Sequence, residues 1–372
     1  MRLRVLRSAS LLALLLLAAC GGGGDGAGTV TPPIAGDTIT VTQEKLATPV
    51  DGASNYLLYL PKGYGDDASA KWPLIIYLHG SQPFSGLVLS SLSQQGIMGY
   101  MKDNHKGLPA IVVQPQQDVN THGHKVDWHD PAFIDRVIRD VEQRFAVDKT
   151  RVSITGGSLG GFGSWSMVLA YPKRFAAVMP VVGGLSNDTD SYDRHLPITT
   201  EADWGGSFAR IVATPMRVYA GVPDANVPIA WARNPVAILR AAGGTPDYHE
   251  TNKGHGDTQV EALQAEPIGW MLAQSRPDAS EDTTPINAAD YVGTYRAANN
   301  LTVTMSMAGD RLMLGFSDGR LPMSFLPIGD DRFMAEWMMR AKRDSAGTVK
   351  CFVTPMLMLA DLVRDGATES CN

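Results

Sequence analysis

The sequence predicts a two-part α/β protein, in which a doubly wound, mostly parallel sheet is followed by a small C-terminal antiparallel β domain. Compact apolar runs of the kind buried on both faces of a parallel sheet alternate with helical patterns over most of the chain. A polar, proline-containing linker at 275–286 interrupts this pattern, and apolar and polar residues alternate beyond it. The length of 372 residues also exceeds the roughly 250–300 residues at which a single core usually stops growing. We therefore expect a large domain at 38–274 and a small one at 287–372.

The N-terminal segment has the features of a secretory signal. Arg2, Arg4 and Arg7 precede an apolar run, Leu11–Ala19, that is too short for the roughly 20 residues of a membrane span. The run ends in LAAC at Cys20, which resembles the bacterial lipobox, in which the cysteine is diacylated and becomes the new N-terminus. The segment 1–19 is thus predicted to be a lipoprotein signal peptide. The alternative is an ordinary signal peptide in which the cysteine is incidental.

Residues 20–37 contain glycine, proline and small polar residues without the apolar periodicity of a core, and we expect a flexible tether. The resemblance to lipoproteins implies attachment to a membrane of the bacterial cell envelope through Cys20, or secretion. Gly21 after the cysteine favours the outer membrane if the cell is Gram-negative. The formal net charge is −6 and no cluster of Lys and Arg is visible, which argues against nucleic acid as a partner.

The opening strands are predicted to form an antiparallel hairpin, because β-rich runs at 38–42 and 56–60 flank a segment with Pro, Asp and Gly. The apolar runs expected to form the central strands are 74–78, 111–113, 152–154, 178–182 and 216–219. The clearest helix begins at Asp130-Pro131, with aspartate as N-cap and proline in the first helical position. Ligands of such sheets bind at the carboxyl ends of the strands, so the functional loops should follow these runs.

A candidate nucleophile follows the third of these central runs. Arg151–Thr155 leads directly into GGSLGGFG, which puts Ser158 at the centre of a G-x-S-x-G motif between a strand and a helix. Serine in such a sharp turn exposes its hydroxyl above the sheet, and glycine lets the neighbouring backbone pass closely. The alternative is a Gly/Ser-rich turn that carries no nucleophile.

A serine hydroxyl is a poor nucleophile unless a base lies within hydrogen-bond reach and a carboxylate orients that base. Asp224 follows the apolar run at 216–219, and His255 lies in the loop KGHGD after the next candidate strand. We therefore predict Ser158 as the nucleophile, Asp224 as the acid and His255 as the base.

Two alternatives concern this constellation. Asp257 and Glu250 compete with Asp224 for the role of the acid, and the position of Asp224 just past a strand end favours it. The stretch HGHKVDWHD at 122–130 has imidazoles and carboxylates at spacings that can converge on a metal. We prefer a loop beside the active site in which Trp128 is a wall of the substrate pocket, and we expect no metal.

The candidate oxyanion hole lies in LHGS, after the apolar run at 74–78. The turn at Gly80 and Ser81 can present backbone N–H groups to the charge that develops on a carbonyl oxygen, and the N–H of Leu159 would be the other donor. His79 is expected only to brace this turn.

Together these stretches resemble the α/β-hydrolase superfamily, and within it the secreted esterases and predicted peptidases that include polyhydroxybutyrate depolymerase-like and feruloyl esterase-like proteins. The resemblance covers roughly residues 40–273. It rests on YLLYLPKGY at 56–64, PLIIYLHG at 73–80, QPQ at 114–116 with Trp128, the segment 151–184, DANVP at 224–228 and Gly254-His255. It implies the same triad, the same oxyanion donors and no cofactor. One departure is YAG at 219–221, where relatives often have His-Gly.

The tail contains YVGTY at 291–295 and GDRL at 309–312, and it resembles the small lipocalin-like β domain appended to some serine β-lactamase-type hydrolases. This implies an accessory domain with no chemistry of its own. Nine of the 16 methionines lie in the tail, where we expect core filling rather than an adaptable binding surface. Because envelope compartments permit disulfides, Cys351 and Cys371 are expected to pair, with two reduced core cysteines as the alternative.

The sequence thus predicts a lipid-anchored envelope serine hydrolase that cleaves small or polymeric carboxylic esters through an acyl-enzyme, without a cofactor. A serine peptidase on the same triad is the second hypothesis, since the residues alone do not separate ester from amide cleavage. A non-catalytic surface-binding lipoprotein that retains the fold is the third.

Overall fold

The computed structural model describes residues 37–50, 53–81, 89–116, 131–185, 206–279, 286–297, 299–309, 311–320, 322–329, 331–334, 338–354, 361–367 and 371. The predicted signal peptide, the tether up to residue 36, Cys20, Trp128 and the whole stretch 122–130 lie outside the described residues. In the described part of the chain, no helix is both long and apolar enough to cross a membrane.

An eight-stranded sheet forms the centre of the larger part of the molecule. Its strands are β1 (Val41–Val50), β2 (Ala53–Tyr59), β3 (Trp72–Leu78), β4 (Ile111–Pro115), β5 (Val147–Gly157), β6 (Ala177–Val181), β7 (Arg217–Gly221) and β8 (Asp247–Thr251). They are ordered β1-β2-β4-β3-β5-β6-β7-β8, and the pairs β1–β2 and β2–β4 are antiparallel while the others are parallel. The mostly parallel doubly wound sheet is confirmed. The first strand begins at Val41, three residues later than predicted, and runs on to Val50.

The helices between the parallel strands are α1 (Leu89–Leu92), α2 (Gly96–Asp103), α3 (Pro131–Arg144), α4 (Leu159–Ala170) and α5 (Ala230–Ala241). Two more helices, α6 (His255–Ala262) and α7 (Ala265–Ala273), follow β8. Helix α3 starts at Pro131 as predicted and buries Ile134, Val137, Ile138 and Val141 completely. Two apolar clusters, one on each face of the sheet, bury the strands on both sides. This explains why the central strands are continuous apolar runs.

The C-terminal part is a closed antiparallel barrel, preceded by one 3₁₀ turn at Ala288–Asp290. Its strands are β9 (Gly293–Arg296), β10 (Thr302–Ala308), β11 (Arg311–Phe316), β12 (Met323–Gly329), β13 (Arg332–Met334), β14 (Met338–Arg343), β15 (Val349–Val353) and β16 (Leu362–Arg364). Among the described strands, closure leaves no free edge, since β9 pairs with both β10 and β16. The predicted small antiparallel β domain is confirmed, and its interior is filled by aromatic and aliphatic side chains that include Tyr295, Phe325, Phe333 and Phe352.

The barrel is packed against the α/β part. Leu326 of β12 and Met334 of β13 belong to the apolar cluster of the sheet and its helices rather than to the barrel interior. The chain between the two parts is also fixed at its start, because the N–H of Arg276 donates to the carbonyl of Thr150 at 2.8 Å.

A disulfide joins Cys351 of β15 to Cys371, with 5.8 Å between the two Cα atoms. Both cysteines are buried. The ammonium of Lys342 donates to the carbonyl of Cys371 at 2.9 Å. Cys371 is therefore held on the barrel by both a disulfide and a hydrogen bond.

Candidate active site

Ser158 lies at the sharp turn between β5 and α4. Its backbone has φ 58° and ψ −118°, in a region that residues other than glycine rarely adopt. The Ser158 N–H donates to the carbonyl of Val181 at the end of β6 at 3.0 Å, which ties the turn to the neighbouring strand. A strained conformation of this kind persists only where the surrounding structure enforces it, and such positions are frequent at active sites.

The turn depends on close contact between backbones. A Cβ atom at Gly160 would lie 1.9 Å from the Leu78 carbonyl oxygen, and one at Gly156 would lie 2.5 Å from the same oxygen. Both contacts are with backbone at the end of β3, which cannot move aside as a flexible side chain would. The glycines of the motif are therefore required because the first turn of α4 touches the end of the neighbouring strand.

Asp224 and His255 are brought together, although they are 31 positions apart in the chain. Asp224 follows β7, and its carboxylate Oδ2 lies 2.7 Å from Nδ1 of His255. The other oxygen, Oδ1, accepts hydrogen bonds from the N–H groups of Asn226 at 2.8 Å and Val227 at 3.0 Å. The Asp224 side chain is only 1% exposed, whereas that of His255 is 17% exposed, so the imidazole is the accessible end of the pair.

Neither of the competing acids is paired with His255. Both oxygens of Glu250 accept hydrogen bonds from the Arg233 guanidinium, at 2.7 and 2.8 Å, and this lowers the pKa of the carboxyl to about 2. Asp257 is exposed on α6. His249 stacks on Tyr219, with the ring centroids 4.7 Å apart. Of the candidates, the structure pairs only Asp224 with His255.

The predicted oxyanion turn lies next to the candidate nucleophile. A Cβ atom at Gly80 would lie 3.4 Å from Cβ of Ser158. Nδ1 of the buried His79 lies 2.8 Å from the Gly80 carbonyl oxygen. The C=O and N–H of a trans peptide point in opposite directions, so a carbonyl held by His79 directs the N–H of Ser81 away from that side chain. His79 thus braces the turn.

These residues line one cavity of 740 Å³, whose wall includes Ser158, Leu159, His255 and the Gly80-Ser81 turn. The cavity continues between α2 and α6, along residues that our sequence reasoning did not identify. These include Tyr77, Gln95, Tyr100, Asn104, Gln259 and Leu263. Gln259 follows His255 by one helical turn, a spacing that would have indicated it, but nothing in the pattern of α2 marks it as a pocket wall.

No group of three or more potential metal ligands occurs among the residues that the structure describes. The predicted pocket residue Trp128 and the alternative metal cluster at 122–130 both lie outside them. The candidate site that can be described therefore consists of a hydroxyl, an imidazole, a buried carboxylate and backbone donors. Such a set can carry out nucleophilic acyl transfer.

We predict that His79 makes folding stability depend on pH. Burial lowers the pKa of His79 from 6.5 to about 4. Between these values the unfolded chain binds a proton that the folded chain does not, so the free energy of unfolding falls as the pH falls from 6.5 to 4, by about 3 kcal/mol over the whole range. The substitution His79→Asn keeps a donor for the Gly80 carbonyl but does not titrate. Urea unfolding at pH 7, 5.5 and 4.5 should show a shallower decline for this variant, and an equal decline would contradict the prediction.

A family model described as "Putative esterase" matches residues 50–215. A probable feruloyl esterase C of Aspergillus niger is 28% identical over 255 residues, which are 68% of this chain and 80% of that protein. A poly(3-hydroxyalkanoate) depolymerase C of Paucimonas lemoignei is 29% identical over 138 residues, and the match covers 34% of this chain and only 30% of the depolymerase.

Among solved structures, an S-formylglutathione hydrolase from Staphylococcus aureus has a TM-score of 0.47 at 17% sequence identity, with 63% of this chain and all of that chain covered. The resemblance to esterases drawn from the sequence is confirmed by the family model and by these relatives. The matched residues, 50–215, lie within the α/β part and include Ser158, so it is this part of the chain that is similar to the esterases.

Proposed function

We propose that the protein is a serine hydrolase that cleaves carboxylic esters through an acyl-enzyme, with Ser158, His255 and Asp224 as its triad. The observation that carries the proposal is the Asp224–His255 contact of 2.7 Å, whose accessible imidazole faces the same cavity as Ser158 in its strained turn.

In the proposed reaction, the Oγ of Ser158 attacks the ester carbonyl while Nε2 of His255 accepts the hydroxyl proton. The carboxylate of Asp224 accepts the hydrogen bond from Nδ1–H, which fixes the tautomer that leaves Nε2 free to act as a base. The two backbone N–H groups at Oδ1 of Asp224 hold the carboxylate in place. The imidazolium then returns its proton to the leaving alcohol, and water releases the acyl group by the reverse sequence.

The negative charge on the tetrahedral intermediate is proposed to be met by the N–H groups of Leu159 and Ser81. Leu159 is the first residue of α4, so its N–H is not used within the helix. Ser81 lines the same cavity, and its N–H points away from His79. Each such donor typically contributes about 3 kcal/mol of transition-state stabilisation.

The reaction as proposed needs water and these groups alone, without a metal or an organic cofactor. The relatives are named for a feruloyl ester and for a polyester of hydroxyalkanoates. We therefore propose a small-molecule or polymeric ester as the substrate. The protein would act in the bacterial cell envelope, attached to a membrane through lipid on Cys20.

The first prediction from the proposed function concerns the nucleophile. A fluorophosphonate probe should label the wild-type protein, and Ser158→Ala should abolish the labelling and lower the turnover of p-nitrophenyl acyl esters by at least about 10³-fold, since the covalent route is lost. Peptide anilides serve as the comparison. Turnover of anilides alone would establish the peptidase instead, and a wild-type protein that neither reacts with the probe nor turns over ester would exclude a serine hydrolase.

The second prediction separates the acid from its neighbour. Asp224→Asn should lower kcat for the same esters by about 10⁴-fold, because an amide can stabilise the wrong imidazole tautomer and cannot balance the imidazolium charge. Glu250→Gln is the matched control, which removes a carboxylate that is bound to Arg233 and should leave kcat within about twofold. Equal losses of kcat in the two variants would contradict the assignment of Asp224 as the acid.

The third prediction concerns the anchor. Expressed in a bacterium fed with radiolabelled palmitate, the full-length chain should incorporate label and sediment with membranes, and Cys20→Ala should lose both properties. Cys371→Ala is the control, which removes a cysteine but leaves the predicted lipidation signal intact. Label that survives Cys20→Ala would show that the cysteine is incidental.

A further inference from the structure

Helix α4, which begins directly after Ser158, is buried along almost its whole length. Every residue from Gly160 to Ala170 is buried, whereas a surface helix normally keeps one polar face in water. The helix also starts with three glycines among its first five residues, which weakens its intrinsic helix propensity. Its position must therefore come from packing on more than one side.

One side of α4 is fixed by the sheet, through the contacts of Gly160 with the end of β3 and of Gly161 with the Val181 carbonyl. The barrel lies on another side, where β12 is in contact with α4. Leu326 and Met334 are buried in the same apolar cluster as Trp165 and Val168 of the helix.

The alternation of side chains along the barrel strands produces this contact. Phe325 and Phe333 point into the barrel interior, and their neighbours Leu326 and Met334 point outward. Leu326 and Met334 also lie opposite each other in the ladder of β12 and β13, so they form one outward apolar pair. An ordinary surface barrel would carry polar residues at these positions.

We propose that Leu326 and Met334 are positioning residues, through which the barrel holds α4 and, with it, Ser158 and the Leu159 N–H in their reactive geometry. No barrel residue is among those lining the cavity in the described part of the chain, so the barrel acts through the helix and not on the substrate. The inference rests on the proposed role of Ser158. It gives the barrel a function in catalysis that an independent accessory domain would not have.

The test uses the full-length protein and pairs of adjacent side chains. Leu326→Ala and Met334→Ala loosen the outward contact, whereas Phe325→Leu and Phe333→Leu, at the neighbouring positions, loosen only the barrel interior. For each variant we would measure Tm, the rate constant of fluorophosphonate labelling, and kcat and KM for a p-nitrophenyl ester, at a temperature where circular dichroism shows a folded protein.

The outward variants should lower the labelling rate and kcat by about tenfold with KM nearly unchanged, since misplacement of a reacting group by about 1 Å can cost up to about 10²-fold. The inward variants should lower Tm without changing either rate. Met334→Leu, which nearly conserves the side-chain volume, should retain the wild-type labelling rate and kcat. If an alanine variant does not fold, Leu326→Val gives the milder test against the same controls.

Equal rate losses in inward and outward variants of equal Tm would overturn the inference, because they would show a general effect of stability. Wild-type rates in the folded outward variants would overturn it too. A failure of the wild-type protein to react with the probe is a different result, which would count against the proposed function of Ser158 itself.

Discussion

The candidate site depends on the contact between the first turn of α4 and the end of β3. At Gly160 there is no room for a side chain beside the Leu78 carbonyl, and Ser158 is held with a positive φ directly before that contact. The same approach puts the Gly80-Ser81 turn against the serine, and Leu159 lines the same cavity. The positions of the proposed nucleophile and of the proposed oxyanion donors thus follow from one steric constraint.

Two carboxylates that look similar in the sequence have different hydrogen-bond partners in the structure. Asp224 is buried, receives two backbone N–H groups and faces a histidine, whereas Glu250 is bound on both oxygens by Arg233. A buried carboxylate is costly unless its oxygens are hydrogen-bonded. The turn after β7 supplies these bonds, and this explains why the proposed acid lies in the loop rather than in the strand. His79 is the opposite case, a buried imidazole that stays neutral and supports the backbone.

Much of the fold and of the described site could be predicted, because the signals are local. Central strands buried on both faces become continuous apolar runs, Pro131 marks the start of a helix, and the glycines around Ser158 reflect a turn that only small residues allow. The pairing of Cys351 with Cys371 was expected for an envelope protein, and the structure contains this disulfide. The walls of the cavity on α2 could not be predicted, because their side chains face the site only after distant elements have packed. The outward pair on the barrel, Leu326 and Met334, was unpredictable for the same reason.

The sequence by itself determined the order of strands and helices along the chain, the strained turn at Ser158, the order of Ser158, Asp224 and His255, and the alternating pattern of the barrel. Only the tertiary structure decided which carboxylate meets His255, which side chains line the cavity, and that the barrel packs on the helix that follows the serine. The physical reason is that periodicity and turn chemistry depend on neighbours in the chain. Hydrogen-bond partners and shared burial depend on groups that the fold brings together, such as Asp224 and His255, 31 positions apart.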